Sequence, residues 1–123
     1  MGAVSRRRLL QEIAEVPDFD DGRLTIHPQR FLAYGDGRPL DLSVRELVLL
    51  VELRRYFGRT RTRGELVEAV WGEGEQVSSR AVDTLVARLR EKLEKAVPGV
   101  AYIHTNHGIG YGFDPQSDAE WDD

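Results

Sequence analysis

Residues 78–97, SSRAVDTLVARLREKLEKAV, decide the reading of this chain. They predict one helix of about five turns. Val82, Val86, Leu89 and Leu93 recur at spacings of 4, 3 and 4, so they share one face. Leu85 and Ala96 widen that face, and Arg80, Thr84, Ala87, Arg88, Glu91 and Lys95 occupy the opposite one. Ser78 and Ser79 stand where a hydroxyl can accept from the free N-terminal amides. Alone, such a stretch is an ordinary amphipathic surface helix. Its surroundings change the reading: two shorter capped helices precede it and a Gly-rich hairpin follows.

Both earlier helices announce their starts. Ser43-Val44-Arg45-Glu46 has the S-x-x-E form of a capping box, with Leu42 and Leu47 placed to close a hydrophobic staple. The helix it opens is predicted to run to about Tyr56, burying Leu47, Leu50, Val51 and Leu53, with Gly58 beyond its end. Thr62-Arg63-Gly64-Glu65 is a second capping box and opens a short helix carrying Leu66, Val67, Val70 and Trp71. The Gly-rich loop 72–77 breaks it. After the long helix, Pro98-Gly99 turns the chain. Residues 101–105 alternate as a strand, 106–110 form a turn, and 111–113 return as the partner strand.

Upstream, Leu24 and Ile26 alternate with Thr25 and His27, which predicts a strand. A second strand over 31–34, a turn at Gly35-Asp36-Gly37 and a short third strand over 39–42 complete a small antiparallel sheet. Residues 1–22 read as a flexible lead in which Leu9, Leu10 and Ile13 form a weak stripe ended by Pro17. The run Arg6-Arg7-Arg8 reads as a solvated tail, with phosphate contact as the alternative. Residues 115–123 read as a disordered acidic tail.

The 123 residues suffice for one domain with a modest core. There is no cysteine, which excludes disulfides and thiolate metal sites. No signal peptide or membrane-spanning run is visible, and a cytoplasmic location is the default expectation. Three scattered histidines, His27, His104 and His107, show neither metal-ligand nor triad spacing. No strand-to-helix phosphate loop is present. An enzyme is therefore not expected, nor a metal or other cofactor. The net charge of −4 argues at first against nucleic acid, but the charge is unevenly distributed. Residues 1–22 hold three Arg against five acids, and residues 114–123 hold five acids and no base. Of 17 bases and 21 acids, the middle of the chain, 23–113, keeps 14 and 11, a net +3. A mildly basic body between acidic ends suits a DNA-binding domain.

Four segments stand in order: L-x-L-S-x-x-E-x-x-L-L-x-x-L at 40–53, T-R-x-x-L-x-x-x-V-W at 62–71, S-R-x-V-D-x-x-V-x-R-L-R-x-K-L at 79–93 and Y-I-x-T-x-x-G-x-G-Y-x-F at 102–113. Together they resemble the winged-helix DNA-binding effector domain of OmpR/PhoB-type response regulators, over residues 23–114. The resemblance implies an α+β winged helix-turn-helix: an N-terminal antiparallel sheet, a three-helix core and a C-terminal β-hairpin wing. It implies a sequence-specific duplex-DNA binder that regulates transcription, with the third helix in the major groove and the wing in the adjacent minor groove. Arg80, Thr84, Ala87 and Arg88 then face the bases, while Arg90 and Trp71 suit phosphates. Thr105, Asn106, His107 and Tyr111 belong to the wing. Trp71 reads equally as a core aromatic, Tyr111 mainly as hairpin core, and Asp83 as a structural partner for a neighbouring Arg. RNA polymerase, met through loop 72–77, and a second copy on adjacent half-sites are the further partners implied.

Departures from the resemblance all lower the positive charge. Relatives often carry Arg where this chain has Ala87 and Gly112, and Val-Arg where it has Asn106-His107. A winged-helix protein-interaction module with weak or no DNA binding is the alternative reading. A receiver domain ordinarily precedes such an effector, and residues 1–22 are too few to hold one. The chain is thus either a stand-alone effector or part of a longer regulator.

Overall fold

The computed structural model describes residues 6–117. Its elements run α1 (Arg6–Ile13), β1 (Phe19–Asp20), β2 (Leu24–His27), β3 (Leu32–Gly35), β4 (Arg38–Pro39), α2 (Val44–Arg55), β5 (Thr60–Thr62), α3 (Arg63–Trp71), α4 (Ser79–Ala96), β6 (Val100–Asn106) and β7 (Gly110–Ser117). The winged helix-turn-helix read from the sequence is present: an antiparallel sheet, helices α2 to α4, and a terminal hairpin.

The first sheet is a meander, β1-β2-β3-β4. Leu24 and Ile26 face inward from β2, as their alternation requires. A 3₁₀ turn, Pro28–Arg30, leads into β3, and Asp36 and Gly37 close the next hairpin with φ of 48° and 82°. Positive φ at both central residues matches the twist of the flanking strands. The third strand, expected over 39–42, is the two-residue β4 instead. Leu40 and Leu42 beyond it pack against the core as irregular chain.

Both capping boxes form. The Glu46 amide donates to Ser43 Oγ at 3.1 Å and the Ser43 amide to Glu46 Oε1 at 2.8 Å. The Thr62–Glu65 pair repeats the arrangement at 3.1 and 2.9 Å. Glu46 also ties α2 to α4. Its buried carboxylate meets Lys92 Nζ at 2.6 Å, and Lys92 donates to Asp41 O at 2.7 Å. Burial pushes the Glu46 pKa up, but Lys92 and the Ser43 amide outweigh it and hold the group below the ordinary glutamate value.

Leu49, Leu50 and Leu53 of α2, Leu66 and Val70 of α3, Val82 and Leu89 of α4 and Phe113 of β7 are fully buried together. The second sheet has the order β5-β7-β6. Gly110 makes it possible: a Cβ there would lie 1.8 Å from Arg61 O. Gly35 does the same for the first sheet, where a Cβ would meet Ala96 Cβ of α4 at 2.6 Å.

Two expectations require correction. Residues 1–22 were read as a flexible lead, and the described part of them is ordered and packed. Leu9 and Ile13 of α1, and Val16 in the turn after it, are buried, and α1 docks against α2. Burial of side chains this size is worth about 1.5–3 kcal/mol each. The helix stops at Ile13, four residues before Pro17, the stop read from the sequence. Arg55 then donates to Glu12 O at 3.0 Å, and β1 pairs with β2. A fourth helix thus joins the expected three. At the other end β7 continues to Ser117, past the boundary set at 114. The rest of the acidic tail, residues 118–123, lies outside the described residues. No described helix is long and apolar enough to cross a membrane.

Candidate nucleic-acid interface

α4 divides cleanly into two faces. Val82, Leu85, Val86, Leu89 and Leu93 are buried, whereas Arg80, Thr84, Ala87, Arg88 and Glu91 are exposed. Ser78 caps its start, accepting from the Arg80 amide at 3.1 Å. Charge is uneven along the exposed surface: Arg80 and Arg88 lie in the first ten residues, and Glu91, Glu94 and Lys95 follow. An anionic partner is therefore favoured at the N-terminal half, where the helix macrodipole also favours negative charge.

Two polar groups of α4, Asp83 and Arg90, hold the wing. Asp83 Oδ1 accepts from Tyr111 Oη at 2.6 Å and from Arg63 Nε at 2.8 Å. The structural role read for Asp83 is therefore present, with α3 supplying its Arg. The Tyr111 hydrogen bond is the main reason the Asp83 pKa falls below the ordinary aspartate value, and Arg63 adds to it. Burial, then Asp83, push the Tyr111 phenol up. Arg90 donates to Ile103 O from Nε and Nη2 at 3.1 and 2.9 Å, and to Thr105 Oγ1 at 2.8 Å. The guanidinium groups of Arg63 and Arg90 also lie 5.3 and 5.5 Å from the Tyr111 ring centroid, within cation–π range. Arg90, Thr105 and Tyr111 thus join α4 to the second sheet, and Tyr111 is buried.

The wing tip remains available. Asn106, His107 and Ile109 are exposed, with Gly108 at φ 80° turning the chain. Asn106 Nδ2 donates to Thr60 Oγ1 at 3.2 Å, so its side chain steadies the wing root on β5. Ile109 is 51 % exposed. An apolar residue that size at a turn tip contributes nothing to the core, which makes it a contact candidate the sequence reading missed.

Trp71 ends α3 half-buried against the core. The Arg45 guanidinium lies 5.5 Å from its ring centroid. Arg45, Trp71, Ala81, Thr84, Leu85 and Arg88 line one open groove, so the start of α2, the end of α3 and the first half of α4 share a surface. Arg45 was also missed. Its place in a capping box marks a helix start, but nothing local puts it beside Trp71, 26 positions later. Trp71, Thr84 and Arg88 thus share that groove, and Arg80 and Ala87 lie with Thr84 and Arg88 on the exposed face of α4.

The sequence family described as "Transcriptional regulatory protein, C terminal" matches residues 37–113. The sensory transduction protein RegX3 of Mycolicibacterium smegmatis is 35% identical over 97 residues, which is 75% of this chain and 42% of that protein. The alkaline phosphatase synthesis transcriptional regulatory protein PhoP of Bacillus subtilis is 38% identical over 90 residues, 73% of this chain and 38% of that one. The chain therefore spans about two fifths of the length of these relatives. Among solved structures, the Klebsiella pneumoniae RstA DNA-binding domain in complex with the RstA box superposes with a TM-score of 0.67 at 29% identity, over 80% of this chain and 98% of that one. The family match runs from the end of the first sheet through α2, α3 and α4 to the wing, and the chain belongs to the family of transcriptional regulatory protein C-terminal domains.

Proposed function

We propose that this chain binds double-stranded DNA sequence-specifically and regulates transcription. α4 enters the major groove and the β6–β7 tip reaches the adjacent minor groove. The observation that carries the reading is the divided α4: one face is locked in the core, and the other presents Arg80, Thr84, Ala87 and Arg88, whose side chains have no hydrogen bond or ion pair among the described residues. Arg88 can fork onto a guanine edge, and Thr84 and Ala87 can meet a thymine methyl. Arg45 beside Trp71 places a cation where the flanking phosphates would run. Arg90, Thr105 and Tyr111 act indirectly, by setting the angle between α4 and the wing.

Loop 72–77, bent by Gly72 and Gly74 at φ 110° and 85°, is the surface we assign to RNA polymerase. A second copy on an adjacent half-site follows from how little sequence one helix and one wing can read. The RstA domain, solved with its DNA box, supports the DNA reading by likeness. The site of action is the cytoplasm.

The test is binding of the chain to DNA upstream of its own gene against scrambled duplex of equal length. Preference for the upstream DNA by about 10³-fold or more is the expected result. Arg88→Ala should remove about 1–3 kcal/mol of specific binding and relax one base position, with the melting temperature unchanged. Equal affinity for both duplexes sinks sequence-specific binding. No binding to either would favour the protein-interaction module, for which Glu91 and Glu94 on the exposed face speak.

A further inference from the structure

Two grooves flank the place where α4 gives way to β6. One, of about 570 Å³, runs between the β3–β4 hairpin and the last turns of α4. Pro39, Leu40, Ala96 and Pro98 give it an apolar lining, and Arg38, Lys92 and Lys95 add cations. The other, of about 450 Å³, lies between α4 and β6. It is apolar too, but Glu91 and Glu94 line it beside Arg90.

The cations of the first groove are not equally committed. Lys92 is held by Glu46 and by Asp41 O. Arg38 and Lys95 are exposed, and their side chains have no hydrogen bond or ion pair among the described residues. Two acids also line this groove. Asp36 is neutralised by two nitrogens of Arg23 at 2.9 and 2.7 Å, which leaves Asp41 against Arg38 and Lys95. A net positive charge beside apolar surface suits an acidic segment with one large apolar side chain.

The chain itself carries such a segment next to the groove. Residues 118–123, Asp-Ala-Glu-Trp-Asp-Asp, hold four acids, no base and Trp121. β7 ends at Ser117, opposite Val100, two residues after Pro98 of the groove. Pro98 is therefore within about 13 Å of Ser117, and Trp121, four residues further on, can reach about 14 Å. Arg80, at the other end of α4, lies about 24 Å from Ala96 along the helix axis and is out of range. The second groove starts equally near, at Val100, but its glutamates repel an acidic segment.

We propose that the groove between the β3–β4 hairpin and α4 is the docking site of the chain's own residues 118–123. Trp121 lies on Leu40, Ala96 and the two prolines, and the carboxylates around it pair with Arg38 and Lys95. Docking there puts the four acids at the C-terminal end of α4, away from Arg80 and Arg88. The contact does not depend on the DNA reading above.

The experiment is nuclear magnetic resonance of the isotope-labelled full chain. Trp121→Ala should shift the amide resonances of residues 35–41 and 92–98 and leave those of the wing tip, 106–110, in place. The Trp121 indole proton reports from the other side. It should move to the position of a solvent-exposed indole in the charge reversal Arg38→Glu/Lys95→Glu. The exchange Arg38→Lys/Lys95→Arg keeps both charges and should leave it near its wild-type position. Arg30→Glu, before the other end of β3, reverses a charge outside the groove and should not move it. Thermal melting checks that each variant folds. Unmoved amides at 35–41 and 92–98 in Trp121→Ala overturn the proposal. So does an equal response of the indole to Arg30→Glu, which would show a net-charge effect. Shifts that grow with protein concentration also overturn it, because the groove would then hold the tail of a second copy.

Discussion

The two sheets of this domain are built on opposite plans. In the first, order in space follows order in sequence: β1 pairs β2, β2 pairs β3 and β3 pairs β4, all antiparallel. In the second, the middle strand is the last in the chain. β7 pairs β6 through the wing hairpin and β5 from beyond α3 and α4, so Thr60 lies opposite Gly112. The first sheet is a local scaffold whose inner strand β3 meets α4 at Gly35. The second joins the helical core to the wing, and it carries the exposed tip. Non-local pairing makes the wing a part of the helix-turn-helix, so the geometry between α4 and the tip is set by core contacts as well as by the hairpin.

The contrast breaks most sharply at the two close-approach glycines. Gly110→Val should push β5 off β7, because the new Cβ would overlap the backbone carbonyl of Arg61. We expect a loss of about 3 kcal/mol or more in urea unfolding, with DNA affinity lost as well. Gly35→Ala meets the side-chain Cβ of Ala96 and should cost about 1–3 kcal/mol while keeping DNA affinity. Equal loss of binding in both variants would show that the first sheet shapes the interface too.

Removing one hydroxyl from each end of the second sheet sharpens the point. Tyr111→Phe deletes the hydrogen bond to Asp83, and Tyr102→Phe deletes the one to Asp21 at 2.9 Å. Each should cost about 1 kcal/mol of stability. Tyr111→Phe alone should weaken DNA binding, since Asp83 belongs to α4 and Asp21 to the scaffold. Affinity and melting temperature of both variants decide the matter.

Each sheet's hairpin region also has an exposed apolar residue at a turn, Ile109 at 51% and Phe31 at 44%. Ile109→Ala should lower DNA affinity several-fold, roughly 1 kcal/mol, and Phe31→Ala should leave it unchanged. Identical affinities in a titration of both variants would remove the wing tip from the interface.

The smallest effect concerns protons. The His104 ring lies against the position of Gly112, where a Cβ would come within 2.7 Å of Nε2. Burial lowers its pKa below 6.5, with Asp114 opposing and Arg90 assisting. A histidine harder to protonate when folded contributes its stability above the unfolded value and loses it as pH falls through the folded one. Wild type should therefore lose slightly more stability than His104→Gln as pH falls from 6.5. Parallel curves in pH-dependent urea melts would exclude a role for this ring.

What the sequence by itself determined is what depends on neighbours three or four residues away. The Ser43–Glu46 and Thr62–Glu65 caps, the Asp36-Gly37 hairpin and the division of α4 into buried and exposed faces all have that range. Arg80, Thr84, Ala87 and Arg88 were legible as one surface because helical periodicity alone puts them there. Tertiary structure decided whatever needed a partner farther off. α1 carried too weak a stripe to be recognised as ordered until α2 supplied a surface. Two-residue β1 and three-residue β5 are too short to show a period and exist through their pairing with β2 and β7. Arg90 suited a phosphate by sequence, but its guanidinium reaches Ile103 O and Thr105 Oγ1 on β6, 13 and 15 residues away. Arg45 and Trp71 meet because α2 and α3 pack together. Local backbone chemistry sets which residues a helix offers, and the packing of one element on another sets which of them remain available to a partner.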